Sequence, residues 1–77
     1  MEIKSFIENF ADQFEDASAE QFTPETNYRG EEGWSSLTAL SVLAMIDEEY
    51  DVQLKGDEMK KTNTIQELFE LVKSKLD

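Results

Sequence analysis

The sequence predicts an all-α fold: a small four-helix bundle of three main helices and one short one, with a long loop after the first helix. Three observations carry this expectation. Apolar residues recur at helical spacing in three separate segments. The single Pro and two of the three Gly fall together in one stretch between the first two of those segments. The 77 residues leave room for one domain, residues 1–77, and no second. A chain of this mass exposes roughly 4,800 Å² folded and roughly 12,900 Å² unfolded, burying about 63%. Apolar burial then contributes on the order of 115 kcal/mol, and ordering the chain costs about the same at roughly 1.5 kcal/mol per residue. One thin core and a marginal fold are expected.

Ile3, Phe6, Ile7, Phe10 and Phe14 fall on one stripe, with Asp12, Glu15 and Asp16 off it. This spacing predicts a first helix over about residues 2–15. Residues 16–34 are different in kind and read as a loop, pinned to the core by Phe22, Tyr28 and Trp34. A loop of that length in so small a domain is either functional or a misassigned element. Ser35 is placed to cap a second helix from Ser36 to about Tyr50. Asp51-Val52-Gln53-Leu54 reads as an extended link, and residues 56–61 hold at most a short third helix. Thr64-Ile65-Gln66-Glu67 is a capping box, in which the hydroxyl serves the Glu67 amide and the carboxylate reaches back. The last helix follows, with Ile65, Leu68, Phe69, Val72 and Leu76 on one stripe, and Lys73 and Lys75 suited to its C-terminal dipole.

Composition excludes several functions. Seven Lys+Arg against 18 Asp+Glu give a net charge of -11. Phosphate-rich nucleic acids and anionic lipid surfaces repel such a chain, whereas proteins with basic patches attract it. With no Cys and no His, disulfides, zinc–thiolate sites, thiol nucleophiles, imidazole bases and a Ser-His-Asp triad are all excluded. No apolar run approaches the ~20 residues that span a bilayer, and no basic stretch leads into an apolar one at the N-terminus. The expectation is a monomer in the cytoplasm, without metal, membrane insertion or catalytic residues.

The second helix holds the functional information. At 100° per residue, Ala39, Val42, Leu43, Ile46 and Tyr50 project within about 50° of one direction and form the expected core face. Leu37, Leu40 and Ala44 point the other way, beside Ser41 and Glu48. They form either an exposed partner site or a second core face. Ser36 opens the helix, where its hydroxyl lies near free amide donors and the positive end of the dipole, a setting that suits a phosphate group. Simple capping by Ser35 and Ser36 is the commoner use of Ser at a helix start.

The segment from Gly33-Trp34-Ser35-Ser36-Leu37 through Asp47-Glu48-Glu49-Tyr50-Asp51-Val52 resembles the central part of acyl carrier proteins. In that family an Asp-Ser-Leu motif opens the second helix, which runs through aliphatics to an acidic cluster, an aromatic residue, an acid and an aliphatic. Lys61-Thr62-Asn63-Thr64-Ile65 is similar to the family's approach to its last helix. The likeness extends over nearly the whole chain. It implies that a phosphopantetheinyl transferase attaches 4'-phosphopantetheine from coenzyme A to Ser36, and that the terminal thiol of the arm carries acyl or aminoacyl groups as thioesters. It further implies no catalysis by the carrier itself, shelter for the cargo between helices, and service to acyl-transferring or condensing enzymes with basic docking patches. Leu37, Leu40 and Ala44 would form the apolar part of that docking face, and Asp47 and Glu48 would pair with partner Lys and Arg. Ser35 stands where the family places Asp, and Thr38 and Ser41 are neutral where many relatives have acids, which points toward a specialised pathway among fatty-acid, polyketide and related ones.

Two rival readings fail on the residues. An EF-hand loop starting at Asp51 puts Gly56 correctly but sets Gln53, Lys55 and Thr62 at ligand positions, where a cation needs oxygen ligands and a bidentate Glu. Paired-carboxylate catalysis by Asp47-Glu48-Glu49 is disfavoured because adjacent helix positions diverge by 100°. The alternative function is an unmodified, carrier-like protein-interaction module using the same helix.

Overall fold

A computed structural model describes residues 2–14 and 18–76. The order is α1 (Ile3–Ala11), two short 3-10 turns (Ala19–Gln21 and Tyr28–Gly30), α2 (Ser36–Tyr50), the single-turn α3 (Gly56–Met59) and α4 (Ile65–Leu76). The four-helix plan matches the expectation. The surface area of 4993 Å² is close to what the chain's mass demands.

The stripe of α1 buries Phe6, Ile7 and Phe10, and α1 packs against both α4 and α2. The helix ends earlier than its spacing predicts. Asp12 closes it, and the next two amides bond three residues back, Gln13 to Phe10 and Phe14 to Ala11. This tightening keeps Phe14 in the core. The expected helix end near Glu15 and the loop start at Asp16 lie outside the described residues.

The long loop is held by aromatic contacts, as expected. The Phe10 ring lies 5.5 Å from Phe14, 5.7 Å from Phe22, 5.5 Å from Tyr28 and 6.4 Å from Trp34. Such edge-on and offset pairs add to the gain from area burial. Loop carbonyls also serve the start of α4, where the first amides of a helix lack partners. Ile65 donates to the Thr26 carbonyl at 3.1 Å and Gln66 to that of Pro24 at 2.9 Å. The loop is therefore part of the fold.

The limits of α2 agree with the sequence expectation, but its buried face is rotated. Thr38, Val42, Met45 and Ile46 are buried, whereas Ala39, Leu43 and Tyr50 are half-buried against the core. At 100° per residue the inward direction lies roughly 70° from the expected one. Two hydrogen bonds account for this. The Thr38 hydroxyl donates to the Gly33 carbonyl at 2.8 Å, so a polar residue turns inward satisfied. The Tyr50 hydroxyl accepts from the Asn9 amide at 3.0 Å and stays at the boundary.

The link after α2 buries alternate residues, Val52 and Leu54, as an extended strand of chain does. Met59 anchors α3. The capping box of α4 forms in both directions: Glu67 donates its amide to the Thr64 hydroxyl at 3.1 Å, and its carboxylate accepts from the Thr64 amide at 3.1 Å. Ile65, Leu68, Phe69 and Val72 are buried. Leu76 departs from the expected stripe and is 45% exposed. Residues 73–76 are all exposed, because the last turn of α4 projects beyond the buried cluster.

Candidate functional site

The site assembles at the N-terminus of α2. Gly33 adopts φ +93°, a conformation open to Gly at little cost, and sits against the Phe14 ring. The turn at Gly33 leads into an extended Ser35, whose hydroxyl accepts the Thr38 amide at 3.2 Å. Ser35 therefore caps the helix. Ser36, its first residue, is exposed, and its hydroxyl joins none of the side-chain hydrogen bonds found among the described residues. Two adjacent serines that look alike in the sequence are thus separated in role by geometry: one satisfies the backbone and the other is accessible.

Two open grooves flank this point. One, of about 620 Å³, runs between α2, α3 and the second 3-10 turn, and Ser36 borders it. Its walls include Trp34, Ala39, Leu40, Leu43 and Met59, with Arg29 and Lys60 as the charged members among the described residues. The other, of about 690 Å³, lies on the far side of α2 and is bordered by Phe14, Phe22, Leu37, Glu31 and Glu32. One side of the helix start is thus apolar with cations, and the other is mixed with anions.

The alternatives for the outer face of α2 are resolved toward exposure. Leu37 is 77% and Leu40 62% exposed. Ala44, Asp47 and Glu48 are exposed as well. Leu40 and Asp47 share the strip of helix surface with Ser36 at four- and eleven-residue spacing, whereas Leu37, Ala44 and Glu48 form a neighbouring strip. The first turn of α2 carries no acid. Of the expected site residues, Ser36, Leu37 and Leu40 lie toward the N-terminal end of α2, and Asp47 and Glu48 toward its C-terminal end.

Arg29, Met59 and Lys60, which the sequence does not mark as site residues, and Trp34, expected only as a pin of the loop, line the groove that Ser36 borders. Arg29 is the only Arg in the chain, which was the one available signal. Its guanidinium donates to the Lys60 carbonyl, joining loop and α3 across 31 residues of sequence. Tyr28 beneath it is buried, and burial, the main cause, raises its pKa above the usual 10.0. Among the described residues no cluster of three or more His, Cys, Asp or Glu gathers as a metal site, and no helix is long and apolar enough to cross a membrane.

A family model described as a phosphopantetheine attachment site matches residues 5–72. No curated protein and no solved structure matches the chain significantly. The residues present fit the group. A phosphate-linked arm needs a hydroxyl open to a modifying enzyme, and Ser36 is exposed; it needs room alongside, which the groove bordered by Ser36 offers. The match takes in residues of all four helices and both flanks of Ser36, so the chain belongs to the phosphopantetheine-attachment-site family, of acyl carrier type, and 4'-phosphopantetheine is its covalent cofactor.

Proposed function

We propose that this chain acts as one carrier domain for acyl or aminoacyl groups, with Ser36 as the attachment point. The observation that supports this reading most directly is the division of labour between Ser35 and Ser36. Ser35 meets the capping need of α2, leaving the Ser36 hydroxyl exposed to an incoming enzyme. In the loading reaction, Ser36 Oγ forms a bond to the phosphorus next to the pantetheine of coenzyme A. The pyrophosphate bond breaks, 3',5'-adenosine bisphosphate leaves, and the hydroxyl proton passes to a base of the transferase. The chain has no His, in keeping with a carrier whose chemistry is done by others. The arm supplies the thiol that the sequence lacks and on which cargo is held.

The remaining residues serve encounter and protection. Leu37, Leu40 and Ala44 give partners an apolar contact, while Asp47 and Glu48 meet their Lys and Arg. The -11 charge steers transferases and acyl-transferring or condensing enzymes with basic patches toward it. The groove walled by Leu40, Leu43 and Met59 shelters an apolar cargo. The acid-free first turn of α2 favours a specialised pathway among fatty-acid, polyketide and related biosyntheses.

Intact mass after incubation with coenzyme A and a broad-specificity transferase tests the reading. The expected result is a gain of one phosphopantetheine unit that disappears in Ser36→Ala. Persistence of the gain in that variant would relocate the attachment point. No gain with any transferase, including those of the native host, would favour an unmodified module that uses its exposed leucines to bind a protein partner.

A further inference from the structure

We propose that Arg29 and Lys60 form a cationic clasp that holds the phosphodiester of the arm against the groove beside Ser36. This rests on Ser36 being the attachment point. The chain has 18 acids and 7 cations, yet among the described residues the groove that Ser36 borders has Arg29 and Lys60 in its wall and no acid. Among the described residues neither cation forms an ion pair within 4.0 Å; the one such pair is Lys75 with Glu58. In so acidic a chain, two cations left without carboxylates on the same wall call for an anion.

Their positions are set by the fold. The Arg29 guanidinium is tied to the Lys60 carbonyl, and one residue earlier the Tyr28 hydroxyl meets the Met59 and Thr62 carbonyls at 3.2 and 3.3 Å. Adjacent residues of the second 3-10 turn are thus fastened to the end of α3. Arg29 keeps further N–H donors for an oxygen anion, and the Lys60 ammonium is free to turn to the same group. A phosphodiester is permanently anionic, so its placement in the field of the other acids is unfavourable unless cations adjoin it. The clasp confines the first bonds of the arm to the α3 side of α2, away from Glu31 and Glu32 on the other side.

The test compares apo and holo forms of wild type, Arg29→Gln, Lys60→Gln and Lys61→Gln. Lys61 is an exposed neighbour that is not in the groove wall, so Lys61→Gln makes the same charge change without touching the clasp. Lys60→Gln retains the backbone carbonyl that Arg29 uses, so it carries the test even if Arg29→Gln folds poorly. Mass first establishes loading in each protein. At low salt, the phosphorus resonance of the holo form is expected to be broad in wild type and Lys61→Gln. It should narrow toward that of a free phosphodiester in Lys60→Gln and Arg29→Gln, and in wild type as salt shortens the screening length from about 30 Å at 0.01 M to about 3 Å at 1 M. Loading should leave Tm level or raised in wild type and Lys61→Gln, and lower it by several degrees in the two clasp variants. Equal phosphorus line widths and equal apo-to-holo shifts in all loaded proteins would overturn the clasp while leaving attachment intact. Absence of any mass gain would overturn the attachment reading, and the clasp with it.

Discussion

Tyr28 and Thr62 lie 34 residues apart in sequence and share a buried hydrogen bond between their hydroxyls. The Thr62 hydroxyl donates onward to the Met59 carbonyl at 2.8 Å, so it accepts from Tyr28. The chain of bonds fastens the loop before α2 to the end of α3 and sets one wall of the groove beside Ser36. Because the tie is buried, it is stiffer than surface polar contacts and more costly to leave half-made.

Tyr28→Phe should retain the ring contacts with Phe10 and Trp34 and lose about 1 kcal/mol of stability. It should also change the alkaline limb. Burial raises the folded-state pKa of Tyr28 above 10.0. The contribution of the neutral phenol is thus complete below that value and is lost as pH rises through the folded-state pKa. Denaturant titrations at neutral and alkaline pH should show wild type declining more steeply above about pH 10 than Tyr28→Phe. Parallel declines would mean that the hydroxyl is solvated.

The acidic limb depends on the cap of α4. The Glu67 carboxylate accepts the Asn63 amide at 2.6 Å and the Thr64 amide at 3.1 Å. These bonds hold its pKa below 4.5. A depressed carboxylate pKa contributes stability that is present above the usual value and fades as pH falls through the lowered one. Glu67→Gln should therefore flatten the stability profile below about pH 4.5, measured by circular dichroism through an acid titration. Glu58, lowered chiefly by its bond to Lys75, should make a parallel contribution, and Glu58→Gln tests it.

Docking should be separable from folding. Leu37→Glu, and the reversals Asp47→Lys and Glu48→Lys, alter exposed positions and should shift stability by no more than about 0.5 kcal/mol. Transfer from the carrier to a partner enzyme should slow on the order of 10-fold at low salt. Transfer rates equal to wild type would assign docking to another face.

Asp51 closes α2 in the left-handed region, with φ 55°. Glycine meets no Cβ cost there. Asp51→Gly should raise stability by roughly 0.5–1 kcal/mol, and Asp51→Asn, which removes the same charge, should capture a smaller part. A loss of stability in the glycine variant would indicate that the Asp51 side chain makes a contact worth more than its backbone strain.

Much of the fold is legible in the residues because helices announce themselves locally. The Ser35 cap, the Thr64–Glu67 box and the stripes of α1 through Phe10 and α4 through Val72 each depend on neighbours within four positions, and each takes the expected form. The early end of α1 was not legible, because a tightened last turn serves Phe14's packing rather than any sequence pattern. The rotation of α2 was hidden for a similar reason: Thr38 reads as polar until the Gly33 carbonyl receives its hydroxyl.

The sequence alone determined the helices, the acidic surface and the serine pair that opens α2, since these follow from periodicity, composition and short-range capping. Only the tertiary structure decided that Leu37 and Leu40 face outward, and that Arg29 and Lys60 border the groove beside Ser36. Those outcomes depend on residues about 30 positions apart meeting through packing and hydrogen bonds, and no local pattern encodes such meetings.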